Sequence, residues 1–186
     1  MYEEIALLEI AIWFALPAWI ANSTPVIFGG GMPIDRGTLF RDGHRLLGDG
    51  KTIRGFVVGV LLGTLTGFIQ SSIAPLIFPV LTEYVVVTAE MESLLFIGPI
   101  TGFLLSLGAL MGDLIGSFVK RRIDVKSGNP APVLDQIGFI IMSLIFASPI
   151  IQPAAIYVII LVGVTLGVHW FSNAISFLLG LKDNPW

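Results

Sequence analysis

Reactive side chains are few in this sequence, and they concentrate in two polar segments. The second is the more informative: Gly112-Asp113-Leu114-Ile115-Gly116-Ser117-Phe118-Val119-Lys120-Arg121-Arg122. Asp113 falls inside an otherwise apolar run, where an ionisable side chain is costly and by default points to function. Ser117, Lys120 and Arg121 follow at +4, +7 and +8, so all four share one helical face. A carboxylate below two cations can hold Mg²⁺ and a polyphosphate together. The same pattern also describes an aspartate paired with a lysine of its own helix at headgroup level. The segment continues through Pro130 and Pro132 to Asp135 and Gln136.

The first polar segment runs from Asn22 through the triple glycine at 29–31 to Gly48-Asp49-Gly50-Lys51-Thr52-Ile53-Arg54-Gly55. Glycines free backbone amides to face an anion, a helix N-terminus adds partial positive charge, and Lys51 adds a full one. It is not a Walker A loop, because the first glycine and the upstream strand are missing. A flexible turn explains the same residues, and the triple glycine reads as a hinge. There is no cysteine, hence no disulfide, thiolate metal site or thiol nucleophile. His44 and His169 have no partner spacing that suggests a metal or a triad; His44 reads as a solvated loop residue and His169, beside Trp170, as interfacial. Neither Gly-x-Ser-x-Gly nor His-Glu-x-x-His occurs, so hydrolase chemistry has no support, and nucleic-acid binding has none.

These segments must be positioned by membrane helices. The chain is 55% hydrophobic and only 12% charged, against about 25% charged residues in a soluble domain. Five apolar stretches are long enough to cross a hydrocarbon core, which takes about 20 helical residues: Ile5–Asn22, Phe56–Val80, Leu94–Val119, Val133–Ile151 and Ala154–Leu179. The expectation is an all-α membrane protein of about five transmembrane helices, one domain over residues 1–186, with polar loops near 23–54 and 119–133. The acidic start, Met-Tyr-Glu-Glu, lacks the basic region of a signal peptide, so the first run reads as a retained span.

All 10 lysines and arginines fall in the two polar segments or after the last span. With five spans these regions share one side, which the positive-inside rule assigns to the cytoplasm. The N-terminus is then outside and the C-terminus inside. Glycines recur every four residues at Gly55, Gly59, Gly63 and Gly67, and again at Gly108, Gly112 and Gly116. That spacing lets helices approach closely in lipid, within one chain or across a homodimer, for which Gly163 and Gly167 are a second candidate. A small transporter would need polar residues through several spans, whereas Glu9, Gln70 and Asp113 are nearly the whole inventory.

Gly112-Asp113-Leu114-x-x-Ser117-x-x-Lys120-Arg121, followed by Lys126, Pro130 and Asp135, resembles the signature of CTP-dependent phosphatidate cytidylyltransferases. It departs from that signature at Ser127, at Asn129-Pro-Ala-Pro and at Gly138, where a second aspartate is expected. Those departures and the first loop, with Asn22-Ser-x-Pro25, Pro33-Ile-Asp35-x-Gly37, Phe40-Arg41-Asp42-Gly43-x-Arg45 and Gly48-x-x-Lys51-Thr52-x-Arg54-Gly55, are similar to the CDP-archaeol synthase family. The resemblance implies a cell-membrane enzyme with its active site on the cytoplasmic face. It would condense CTP with an isoprenoid ether lipid phosphate, giving a CDP-lipid and pyrophosphate. It further implies Asp113 and Asp135 as Mg²⁺ ligands and catalytic residues together with Lys120. Asn22, Asp49, Lys51, Thr52, Arg54, Ser117, Lys120 and Arg121 would contact CTP. A CTP-dependent polyprenol kinase, which uses related motifs, is the rival reading.

Overall fold

The computed structural model describes residues 2–125, 131 and 133–178. Lys126, Ser127, Asn129, Pro130 and Pro132, all singled out in the sequence, lie outside the described residues, as does Lys182, the basic residue after the last span. Among the described residues six helices follow in chain order: α1 (Tyr2–Phe28), α2 (Ile53–Tyr84), α3 (Ala89–Leu95), α4 (Pro99–Arg122), α5 (Leu134–Ala147) and α6 (Ala155–Leu178). By length and composition α1, α2 and α4 can each cross a membrane, while α5 and the Ala155–Phe171 part of α6 are shorter apolar helices.

Each expected span falls on helical chain, but the bounds differ: α2 is longer at both ends than Phe56–Val80, and α5 stops at Ala147, four residues short of Ile151. The first helix continues past Asn22 to Phe28, carrying Pro25 inside it. The third expected span is divided, because α3 ends at Leu95 and α4 starts at Pro99 after the Gly98 cap. Proline at the first helical position loses only a donor that would have had no partner anyway. α4 then runs to Arg122, so the second polar connection starts three residues beyond Val119, and the last turn of α4 carries Lys120, Arg121 and Arg122. Cations there face the partial negative charge of the helix C-terminus.

The glycine spacing serves packing within the chain. A methyl group at Gly59 would fall 2.8 Å from both the Ala21 carbonyl oxygen and the Leu110 side chain, and one at Gly67 would fall 2.8 Å from Gly102 Cα. α1, α2 and α4 therefore touch backbone to backbone. On its other side α4 meets α5: a methyl at Gly108 would fall 2.5 Å from the Met142 carbonyl oxygen, and one at Gly112 2.6 Å from that of Gly138. Residue numbers rise along one helix as they fall along the other, so α4 and α5 are antiparallel.

Gln70, one of the few polar residues in the apolar stretches, has a structural role. Pro17 has no N–H to give the Trp13 carbonyl four residues before it. Gln70 Nε2 donates to that oxygen at 2.6 Å, and Trp13 Nε1 in turn donates to the Leu95 carbonyl at 3.0 Å. A freed carbonyl inside an apolar bundle needs such a donor.

Candidate active site

Four residues with predicted roles meet across α4, and they do so in crossed pairs. Lys51 Nζ lies 2.7 and 2.6 Å from the two oxygens of Asp113, although 62 residues separate them in sequence. Lys120 Nζ lies 2.7 Å from Asp135 Oδ1. The sequence alternative that paired Asp113 with a cation on its own helix is thus replaced by a pair between the first polar loop and α4. Asp113 and Lys120 are seven residues apart, within about 20° on the helix surface. Their common face looks into the space between α5 and the loop that follows α1.

The two aspartates sit at nearly the same depth. Gly112 abuts Gly138, which puts Asp113 level with about Ile137, two residues or roughly 3 Å from the level of Asp135. Asp135 also serves its own helix start, since its Oδ2 accepts from Ala131 N at 2.9 Å. Among the described residues, no three acidic or imidazole side chains cluster in a way that could hold a metal. The donor set is therefore two carboxylates, each met by an ammonium.

Arg121 is different. It is only 8% exposed, its Nε has no hydrogen-bond partner, and among the described residues it makes no ion pair. A buried cation without a counter-charge is expensive unless an anion arrives to complete it. Ser117, one turn earlier on the same face, is 3% exposed. The Lys51–Asp113 pair lines a shallow, solvent-open depression whose walls also include Pro25, Ile34, Phe56 and Leu110. Its lining is mostly apolar, with Lys51 and Asp113 as its charged members.

Three of the remaining predicted contacts, Thr52, Arg54 and Asp49, already have partners inside the protein. Thr52 caps α2, its Oγ1 accepting from Gly55 N at 3.2 Å. Arg54 Nε donates to the Phe28 carbonyl at 2.9 Å and its NH2 to that of Gly29, closing the C-terminal end of α1. Asp49 is exposed and pairs with Arg45 at 3.0 Å. Asn22 is half-buried on α1, close in sequence to the depression wall at Pro25. His44 is exposed, 3.5 Å from Asp124, away from these groups.

Sequence reasoning missed the residues that shape the loop. Asp35, with no exposed side-chain surface, accepts from Arg45 NH2 at 2.7 Å, Arg45 Nε at 3.2 Å, Leu47 N and Gly48 N at 3.0 Å and Gly37 N at 3.1 Å. The Arg45 guanidinium, helped by these amides, holds the Asp35 carboxyl far below the usual carboxylate range despite its burial. Arg122 then clasps the loop to α4: its NH2 donates to the Arg45 carbonyl at 2.6 Å, its Nε lies 2.7 Å from Asp42 Oδ2, and its guanidinium lies over the Phe40 and Phe118 rings. The available signal was Asp-x-Gly, the local turn in which an aspartate binds its own backbone.

Residues 4–186 match the family model described as CarS-like, CDP-archaeol synthase. The chain is 46% identical over 176 residues to a Thermococcus kodakarensis protein named CDP-archaeol synthase, covering 95% of each. It is 47% identical to the Pyrococcus furiosus protein of that name, over 95% of this chain and 96% of the relative. With the Methanocaldococcus jannaschii protein it shares 43% identity over 182 residues, 97% of this chain and 98% of the relative. A solved structure described as an intramembrane enzyme for archaeal membrane lipids biosynthesis superposes with a TM-score of 0.67 at 36% identity, covering 88% of this chain and 92% of that one.

Proposed function

This chain belongs to the CDP-archaeol synthase family, and on that premise we propose that it condenses CTP with 2,3-bis-O-geranylgeranyl-sn-glycerol 1-phosphate, giving the CDP-lipid and pyrophosphate. The observation that carries the site assignment is the Lys51–Asp113 pair, which joins the two polar segments at one point. A lipid phosphate oxygen attacks the α-phosphorus of CTP, the bond to the β-phosphate bridge breaks, and pyrophosphate leaves with that electron pair. The second pKa of a phosphate monoester is near 6, so the nucleophile is already anionic at neutral pH. No general base is needed; alignment and charge neutralisation are.

Magnesium fits the donor set, because it prefers one or two carboxylates with phosphate and water oxygens completing an octahedron. Asp113 and Asp135 would hold it. When bound, it supplies positive charge against the triphosphate oxygens. Lys51, Lys120 and Arg121 contact the triphosphate, with Asn22 and Ser117 as polar neighbours; Asp49, Thr52 and Arg54 support the loop. In the free protein Lys51 and Asp113 neutralise each other, as do Lys120 and Asp135. On substrate binding each lysine would turn to phosphate, and each aspartate would then be free to hold the metal. Arg121, which has no counter-charge among the described residues, exchanges nothing and gains one.

The protein lies in the cell membrane as one transmembrane domain of five spans, N-terminus outside and C-terminus inside. The confinement of all lysines and arginines to the two polar segments and the stretch after the last span supports this, and an accessibility reporter fused to the C-terminus reads it directly. The site then opens to cytoplasmic CTP, and the lipid tails remain in the bilayer beside the apolar wall of the depression. Gly163 and Gly167, exposed with open space beside them, leave α6 free for a second copy if the enzyme is a homodimer.

Asparagine keeps the shape of aspartate and removes its charge. Asp113→Asn and Asp135→Asn should each abolish CDP-lipid formation at saturating CTP. A variant retaining more than about a tenth of the wild-type rate across a Mg²⁺ titration, ~1.4 kcal/mol in barrier, would remove that aspartate from the site.

A further inference from the structure

We infer that Asp35 is a positioning residue: from inside the first loop it sets the Lys51 ammonium opposite Asp113. Its two oxygens receive five donated hydrogen bonds, two from the Arg45 fork and three from the amides of Gly37, Leu47 and Gly48. A carboxylate offers about four lone-pair positions, so Asp35 has no capacity left for a ligand. It acts through what it holds.

What it holds is the short path to Lys51. Gly48, gripped through its amide, gives its carbonyl to Lys51 N at 3.3 Å, and Ile34, the neighbour of Asp35, donates its N–H to the Lys51 carbonyl at 2.8 Å. Lys51 is therefore fixed on both sides by groups that Asp35 or an adjacent residue controls. Gly37 and Gly48 adopt φ of +83° and +109°, which bends the chain tightly enough around one carboxylate for three amides to reach it. Arg45 links this hub onward to Asp49 and, through its carbonyl, to Arg122 at the end of α4. The loop is thereby indexed against the same helix that carries Asp113. A flexible loop would leave Lys51 free to sample water; this one delivers the ammonium within 2.7 Å of both Asp113 oxygens.

The consequence for catalysis rests on the reading of Lys51 as a triphosphate contact, so the test has one arm that depends on that reading and one that does not. The chain has no cysteine, which allows spin labels at cysteines introduced by Gly50→Cys and Ile115→Cys, both at exposed positions. The label–label distance should be narrowly distributed with Asp35 present and broad in Asp35→Asn; an unchanged distribution overturns the proposal. The second arm measures equilibrium binding of Mg²⁺–CTP in a cycle of Asp35→Asn and Lys51→Ala. Asp35→Asn should weaken binding roughly ten-fold when Lys51 is present and less than about two-fold when Lys51 is already alanine. An equal loss in both backgrounds overturns the proposal, because Asp35 would then act independently of Lys51. If Lys51→Ala binds Mg²⁺–CTP as wild type does, the triphosphate role of Lys51 fails, and the distance measurement still decides the role of Asp35. Should Asp35→Asn fail to fold, Arg45→Lys serves in both arms, since it removes the two-pronged contact and leaves the amide bonds to Asp35 in place.

Discussion

Replacing Lys51 by alanine should destabilise the free protein more than replacing both Lys51 and Asp113. The two side chains are each 26% exposed, so water screens the pair only partly. At an effective dielectric near 20, opposite charges about 4 Å apart attract by about 4 kcal/mol. Desolvation returns much of this, leaving about 2 kcal/mol for a charge-assisted pair. The two halves are unequal, however. Lys51 has a flexible stem in an interfacial loop and can turn its ammonium to water. Asp113 is short, fixed to α4 and flanked by Leu110 and Leu114, so without Lys51 its charge stays in place unpaired. Lys51→Ala should therefore cost about 2 kcal/mol, a fall of about 4–8 °C in thermal midpoint for a chain of this size. Asp113→Asn should cost less than about 1 kcal/mol, and the double variant should recover most of the midpoint lost in Lys51→Ala. The assay is thermal unfolding in detergent without nucleotide, paired with CTP turnover. A double variant as unstable as Lys51→Ala refutes the pairing argument. Restored turnover in the double variant refutes the ligand role of Asp113.

Two further outcomes follow from groups with opposite environments. Arg121 is buried without a counter-charge among the described residues, so Arg121→Met should leave the midpoint of the unliganded protein unchanged or raise it, while weakening CTP use roughly ten- to a hundred-fold, the loss of one charge-assisted phosphate contact; a large drop in midpoint would mean that its guanidinium has a partner in the free protein. The depressed pKa of Asp35 gives a stability contribution that is complete above its ordinary value of 3.8 and is lost only as pH falls below that, through the lowered native value. The midpoint difference between wild type and Asp35→Asn should hold constant from about pH 8 to 5 and shrink below about pH 4. A difference that closes between pH 7 and 5 would contradict the buried Arg45 contact.

The helices were legible because lipid imposes a length and a composition on each, and those two constraints act on contiguous residues. The α3–α4 break was not, since Leu94 to Ile100 reads as one apolar run and only Gly98-Pro99 marks the turn. The extension of α1 through Pro25 was not legible, because Asn22-Ser-Thr-Pro is polar and carries a proline, features that neighbouring helices tolerate inside a membrane helix. At the site, helical spacing brought Asp113, Ser117, Lys120 and Arg121 to one face. It offered only partners on the same helix, however, and Lys51 arrives from 62 residues away. Asp35 and Arg45 were visible merely as parts of a resembling motif, because a hub of backbone amides leaves no periodic trace. Gln70 looked like an isolated polar residue until the carbonyl freed by Pro17 explained it.

Purified protein in detergent, given CTP labelled in the cytosine ring, Mg²⁺ and 2,3-bis-O-geranylgeranyl-sn-glycerol 1-phosphate, should transfer the label to the lipid and release one pyrophosphate per CDP-lipid formed. Label remaining in water-soluble CDP, with a doubly phosphorylated lipid as the second product, would identify γ-phosphoryl transfer and contradict the cytidylyltransferase account.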